Sequence, residues 1–350
     1  MRNNLVPALT AMGGWDVRGV VSRGGASAAE LAKRCGTEAV ATIDHLPFDE
    51  IDTVVVSVTT AAVPSVLQAL APRARNLDLV LDTPPFAGAR DLRFARHFAQ
   101  FRLAVVAEDF MRFPPFDLMR DVVRDGAIGT PVEVVLDKTG FRYHGTALAR
   151  SFFGFPLVRS FTSERETDGR EVRYSLVGGG TIVVTGAYDP PAGTVTVHGT
   201  KASLRYRAPL VGDRPVTAHE RDDPHTYDVR PIETDGAMLL GFDLSMPVGR
   251  LTYPVPWFDA LRAQDGDWDQ FNLLKTCGTI AVLEQLRSGR DTPYGATEGI
   301  YDAALGSLSR LLPYGITPIS ALANLAFRLL PRRVPDLPRR VAAEATRSRN

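Results

Sequence analysis

The sequence predicts an α/β chain of two domains: a parallel-sheet domain of doubly wound type, followed by an antiparallel-sheet domain. Three observations predict it. The length of 350 residues is a prior for two domains at roughly 100–200 residues each. From Trp15 to about Arg124, short β-branched runs alternate with helical periodicity, the pattern of parallel strands joined by crossover helices. From Val132 to about Leu251 the runs alternate apolar with polar and turn residues dominate, the pattern of antiparallel strands with one solvated face. The expected boundaries are 1–125 for the first domain, 126–310 for the second with two return helices, and 311–350 for an irregular extension.

In chain order, Met1 to Met12 reads as a helix. VRGVVS (17–22), TVVVSV (53–58), LDLVLD (77–82) and LAVVAE (103–108) are apolar almost throughout, as strands covered on both faces must be. SAAELAKRC (27–35), VPSVLQALAPRA (63–74) and ARDLRFARHFAQ (89–100) repeat apolar residues at three and four, which predicts helices. FDLMRDVVRDG (116–126) is a further helix that Gly126 stops. VEVVLDKT (132–139), REVRYSLVGGG (170–180), TIVVTGAY (181–188) and GTVTVHGTKASLRY (193–206) supply the second sheet, with GGG at 178–180 as a turn. Residues 268–289 and 296–312 are amphipathic helices, and ISALANLAFRLL (319–330) is an apolar helix candidate.

Composition narrows the function. Forty basic residues balance forty acidic ones, so no global field exists to hold a nucleic acid or an anionic membrane. Only Lys33, Lys138, Lys201 and Lys275 are lysine. Cys35 and Cys277 make no disulfide framework and no zinc spacing. With no signal-peptide pattern at MRNNLVPALTAMGGWD, the expected compartment is the reducing cytoplasm. From Arg328 onward seven arginines face Asp336 and Glu344. Prolines at 331, 335 and 338 break this stretch, which reads as a solvated terminus.

Several motifs in this order resemble the Gfo/Idh/MocA family of NAD(P)-dependent sugar and polyol oxidoreductases over roughly residues 5–310. VVSRGGASAAELAKRCG resembles that family's second strand and following helix. IDTVVVSVTT resembles its fourth strand, and LVLDTPP sits where its E-K-P motif falls. AVVAEDFMRFPPFDLMRDVVRDGAIGTPVEV is similar to its sixth strand and the lead into the sheet domain, and VTVHGTKASLRY to its H-G-T-x-G-x-L hairpin. The resemblance implies a Rossmann-type cofactor domain, a substrate and oligomerisation domain, and hydride transfer on a sugar-like or cyclic polyol carbonyl or hydroxyl.

The sequence also departs from that pattern. The family opens with a strand and G-x-G-x-x-[GA], whose glycines let the backbone approach the pyrophosphate; here the chain begins at the helix that should follow. A start downstream of the true one is the expected reason, with a truncation that abolishes cofactor binding as the alternative. The second strand would end at Ser22 and Arg23 beside the adenosine ribose, which favours NADP over NAD. Thr59, Thr60, Asp82, Thr83 and Pro84 would lie along the ribose and nicotinamide side. They equally suit plain strand-end capping.

The family's catalytic lysine, aspartate and histidine correspond to Thr83, Arg150 and Gly154, none of which is a good general base. Tyr143 and His144 are the candidate replacements, since histidine titrates near neutrality and tyrosine can donate a proton. Arg150 is a candidate for a substrate carboxylate or phosphate. Glu108, Asp109 and Arg112 follow a strand whose carboxyl end should face the crevice. The competing readings are a boundary pair for Tyr143 and His144, and a helix N-terminal cluster for the other three. His198 reads as structural, and His219, Asp222, Asp223 and His225 as a solvated loop. The rival function is a catalytically degenerate nucleotide- or sugar-binding sensor or partner subunit, and a homo-oligomer is expected in either case.

Overall fold

The computed structural model describes residues 4–22, 26–139, 142–166, 169–186, 193–207, 224–233, 239–247, 249–264, 268–288, 294–311 and 315–318. The first domain opens with α1 (Leu5–Met12), then β1 (Val20–Val21), α2 (Ala26–Arg34) and β2 (Ala39–Val40). It continues through β3 (Thr53–Val56), α3 (Val63–Leu70), β4 (Asp78–Asp82) and β5 (Leu103–Ala107). All its pairings are parallel, in two pieces: β1 with β2, and β3–β4–β5 side by side. The interiors of β4 and β5 are buried because helical segments cover both faces.

Two expectations change here. The strand expected at 17–22 shrinks to Val20–Val21, whose side chains stay partly exposed. The segment Ala89–Gln100 is a 3-10 helix instead of an α-helix. Leu92, Ala95, Phe98 and Phe101 are buried at a spacing of three, which suits three residues per turn better than 3.6.

A single ten-stranded sheet makes the second domain. After α4 (Pro114–Arg124) come β6 (Pro131–Asp137), α5 (Arg142–Ser151), β7 (Val158–Glu166), β8 (Gly169–Leu176) and β9 (Thr181–Thr185). Then follow β10 (Thr194–Gly199), β11 (Ser203–Arg207), β12 (Thr226–Glu233), β13 (Leu239–Met246) and β14 (Gly249–Pro254). The helices α6 (Phe258–Arg262), α7 (Gln270–Ser288) and α8 (Ala296–Leu311) precede β15 (Gly315–Pro318). The strand order is β14-β13-β12-β11-β10-β6-β9-β8-β7-β15.

The sheet is mixed where an antiparallel one was expected. β6 pairs in parallel with β9, and β11 with β12. Each parallel pair is separated in sequence by more than a dozen residues, enough for the crossover that parallel pairing requires. Within the extension, β15 pairs with β7, Ile316 opposite Thr162. The helix candidate at 319–330 lies outside the described residues, as do Arg23, His219, Asp222 and Asp223. The 178–180 glycines form the expected turn, all three at positive φ.

Two cores hold the chain together. The smaller lies between β3–β5, α3 and the 89–100 segment, with Leu67, Leu79, Leu81, Phe98 and Val106 at its centre. The larger fills the inner face of the ten-stranded sheet, where Val134, Leu136, Ile182, Val197 and Phe242 meet α4, α5 and α7. α1 packs Ala8 and Met12 into this larger core. α8 belongs to both, sending Ile300 and Ala304 into the smaller core and Tyr301 and Leu305 into the larger.

α7 reaches the first domain through a glycine. A Cβ on Gly278 would lie 2.2 Å from the carbonyl oxygen of Asp109, and a backbone atom cannot move aside as a flexible side chain can. Gly→Ala inside a helix ordinarily stabilises by about 0.5–1 kcal/mol. Here overpacking, typically about 1–3 kcal/mol, outweighs that gain. Gly278→Ala is therefore expected to lower the urea unfolding midpoint; an unchanged or raised midpoint would mean that α7 does not press on the 109 turn.

Candidate active site

The carboxyl ends of β3, β4 and β5 converge on one crevice. Ser57, Asp82, Ala107 and Asp109 line it from the strand ends, Lys275, Thr279, Val282 and Leu283 from α7, and Asn4 and Leu5 from the start of α1. The Ser57 hydroxyl donates to Asp82 Oδ2 at 2.5 Å, and the Thr83 backbone N–H donates to Asp82 Oδ1 at 2.9 Å. Both oxygens of Asp82 thus cap the end of β4. The following Thr83–Pro84 peptide is cis.

Beyond β5 the chain turns sharply, with the Glu108 N–H bonded to the Val106 carbonyl at 2.9 Å. This turn places the Glu108 carboxylate, 1% exposed, against the first turn of α5. His144 Nδ1 lies 2.8 and 2.9 Å from the two Glu108 oxygens. With the proton on Nδ1 donated to Glu108, the ring is held in the tautomer whose Nε2 is basic. Phe110 and Tyr143 pack their rings 6.1 and 5.4 Å from the imidazole.

The charges nearby set the proton affinities. Burial alone would push the His144 pKa down, but the charge and hydrogen bond of Glu108 override it, and the net shift is upward. Asp109, buried beside them, is pushed up to about 7, because burial outweighs the pull of Lys275. The Thr279 hydroxyl lies 3.4 Å from Asp109 Oδ2. Asp82 and Asp109 thus line the crevice opposite Lys275, and the Glu108–His144 pair follows directly from the same turn after β5.

The other expected residues fall in different places. Tyr143 is 5% exposed and belongs to the smaller core, where its hydroxyl accepts from Tyr294 at 3.0 Å. Burial holds its pKa well above the ordinary value, so at neutral pH it is a packed hydrogen-bonding group. Arg150 is 0% exposed, and its donors go to the chain's own acceptors. These are Asp302 at 2.7 Å, Glu298 at 2.6 Å and the carbonyls of Phe155 and Pro156 at 3.1 and 3.0 Å. The expectation that Arg150 holds a substrate anion is corrected: buried between α5 and α8, it is a structural ion-pair centre.

Arg112 lies 3.3 Å from Asp117 and lines a separate cavity. Ser22 closes β1 with its N–H on the Val40 carbonyl, while the carbonyls of Thr59 and Thr60 accept from Ala62 and Val63 in the turn into α3. His198 bonds Ser203 across a hairpin at 2.8 Å. Reading the sequence missed Lys275, Ser57 and Asp302. The available signal for Lys275 was its rarity, as one of four lysines in the chain.

Two measurements test this geometry. A carboxyl pKa raised by folding stabilises the fold fully below its unfolded value near 4, and that contribution is lost as pH rises toward 7. Asp109→Asn is therefore expected to gain stability relative to wild type as pH goes from 4 to 7, in paired denaturation series. A constant difference across that range would contradict the burial of an unwilling charge. Arg150→Met leaves two acids facing each other without a cation. It is expected to cost about 3–5 kcal/mol in unfolding, the usual penalty for breaking a buried pair, where a surface arginine would cost under about 1 kcal/mol.

No family model matches the sequence, and no curated protein matches it. Solved structures do match the fold. An oxidoreductase from Agrobacterium radiobacter, solved with NAD+, L-tartaric acid and magnesium, is 15% identical with a TM-score of 0.63, covering 91% of this chain and 96% of that one. A putative myo-inositol dehydrogenase from Sinorhizobium meliloti is 16% identical at a TM-score of 0.60, covering 90% and 96%. A levoglucosan dehydrogenase solved with NADH and levoglucosan is 13% identical at 0.61, covering 91% and 95%. Among the described residues no helix is long and apolar enough to cross a membrane. The chain shares the fold of these structures, a parallel-sheet domain followed by a large mixed-sheet domain, which is the fold class its motifs imply.

Proposed function

We propose that this protein is a nicotinamide-dependent oxidoreductase that interconverts a hydroxyl and a carbonyl on a sugar-like or cyclic polyol substrate. The observation that carries the reading is the Glu108–His144 pair at the carboxyl end of β5, the edge at which open α/β sheets bind their ligands. Neighbours of the same fold were solved with NAD+ or NADH, and one with a sugar derivative, which supports the reaction class.

When bound, the nicotinamide supplies the carbon that accepts a hydride. Ser22, with Arg23 next in sequence, would meet the adenosine ribose and favour NADP. Thr59, Thr60, Thr83 and Pro84 would flank the nicotinamide side, beside the capped Asp82. The glycine loop for the pyrophosphate is not in this sequence. The crevice holds about 60 Å³ between α1, α7 and the strand ends, so cofactor entry requires one of those helices to give way.

The chain's own residues handle the proton. As the substrate is oxidised, its hydroxyl proton passes to His144 Nε2, while Glu108 accepts the Nδ1–H and stabilises the imidazolium that forms. In the reverse direction the same nitrogen returns the proton to the carbonyl oxygen. Glu108 and Asp109 keep the site acidic, and Lys275 offsets their charge. Arg112 and Arg150 take no part in this step. The protein works in the cytoplasm as a homo-oligomer, a state that light scattering measures.

Turnover with NADPH and NADH against a panel of ketosugars and ketoacids tests the reading. His144→Ala is expected to lower kcat by about 10²–10⁴ with little change in cofactor affinity, and Tyr143→Phe to leave kcat within about threefold. Glu108→Gln removes the charge that raises the His144 pKa, so the acid limb of the oxidation profile should move to lower pH. Unchanged turnover in His144→Ala would refute the assignment. The small crevice and the residues Thr83, Arg150 and Gly154 at the family's catalytic positions favour the second reading, a degenerate sensor; tight NADPH binding without turnover on any panel member would establish it.

A further inference from the structure

Away from the crevice, a larger cavity of about 410 Å³ opens between α4, α5 and α8. It is the size of ordinary small-ligand sites, which run from about 300 to 1,000 Å³. Met111 and Arg112 line it from the turn after β5, Arg120 from α4, Ser151, Gly154 and Phe155 from the end of α5, and Glu298 from α8. Two guanidinium groups thus face a space that also has an apolar wall, Met111 and Phe155, and a carboxylate, Glu298.

The local charges leave a cationic surplus on the α4 side. Arg112 and Arg120 both turn toward Oδ1 of Asp117, Arg112 at 3.3 Å and Arg120 in close contact. Asp117 is shared by two cations, and Asp121, the next carboxylate toward Arg120, is itself paired with Arg124 at 2.9 Å. The Arg112 Nε is buried against Asp117, while 26% of the side chain stays exposed to meet a ligand. Arg120 donates a second hydrogen bond to Ser151 at 3.2 Å, which fixes its plane at the cavity wall. On the far side Glu298 is held by Arg150 at 2.6 Å, so an acceptor lies opposite the donors.

We propose that this cavity is a binding site for a small hydroxylated anion, a polyol carrying a carboxylate or a phosphate. The anionic group lies against Arg112 and Arg120, where planar donors match two oxygens at once. The hydroxylated body points toward Glu298, and its carbon skeleton packs on Met111 and Phe155. This site is separate from the crevice: His144 stands on the first turn of α5 and Ser151 at its last residue, about 10 Å along the axis. The proposal does not rest on the redox reading.

Calorimetric titration of the full chain tests it with three probes of similar size: D-gluconate, D-glucose 6-phosphate and D-glucose. At least one of the two anions is expected to bind at least tenfold more tightly than glucose, and the tighter of them identifies carboxylate or phosphate as the source. Arg112→Gln is expected to weaken that binding about tenfold or more. Gly154 sits at φ 74° with open space where a Cβ would be, and asparagine tolerates that backbone. Gly154→Asn should therefore fill the cavity and weaken binding while leaving every arginine contact in place. Equal binding of glucose and both anions, or anion binding insensitive to both substitutions, would overturn the proposal. So would a loss of binding in Lys275→Ala that Arg112→Gln does not share, because the anion would then be in the crevice.

Discussion

The geometry of the candidate site depends on a buried cation. Arg150 has no exposed surface, and moving a guanidinium out of water costs several kcal/mol even after relaxation. The structure offsets that cost by giving it Asp302, Glu298 and two backbone carbonyls, and by stacking it 4.5 Å from the Tyr301 ring. These contacts bind α5 to α8, and α8 is the helix that both cores share. The Tyr301 hydroxyl also accepts from the Val158 N–H at 2.9 Å, so the same helix fixes the start of β7. Positioning His144 over Glu108 therefore rests on an ion pair at the opposite end of α5. So many partners on one cation specify one arrangement of α5 against α8, and removing any of them would leave a buried charge that opposes folding.

What the sequence revealed follows from burial. β4 and β5 are legible because both faces are covered, and an unbroken apolar run has few other readings. β1 is not legible in extent: only two residues pair, and apolar character says nothing about where pairing stops. β7 carries Arg159, Ser160, Ser163 and Glu164 in its first seven residues, a composition that reads as loop, yet it pairs on both sides with β8 and β15.

The site divides in the same way. Glu108 and His144 could each be singled out by residue type, but they are 36 positions apart, and no local pattern announces their contact. Arg150 misleads for a related reason. Its acids lie 148 and 152 positions away, so the sequence shows an unpaired arginine where the fold has a neutralised one. Lys275 faces the crevice from a helix whose neighbours Leu273, Leu274 and Cys277 are core, and its direction is set only when Gly278 seats α7 on the Asp109 turn.

The crevice also has an internal electrostatic logic. Glu108, Asp109 and His144 are neighbours, so their protons are not independent. Burial raises Asp109 to about 7, and Glu108 raises His144 against the opposing effect of burial. Groups so close titrate as a unit, and the pair has macroscopic pKa values of its own. If Asp109 is protonated, less negative charge faces the imidazole and His144 releases its proton more readily; if Asp109 ionises, the imidazolium is favoured. Lys275 opposes both effects, drawing Asp109 down and disfavouring charge on His144. Each group thus sets the proton affinity of the other, and because Glu108 holds the Nδ1 side of the ring, it is at Nε2 that His144 gains or loses a proton.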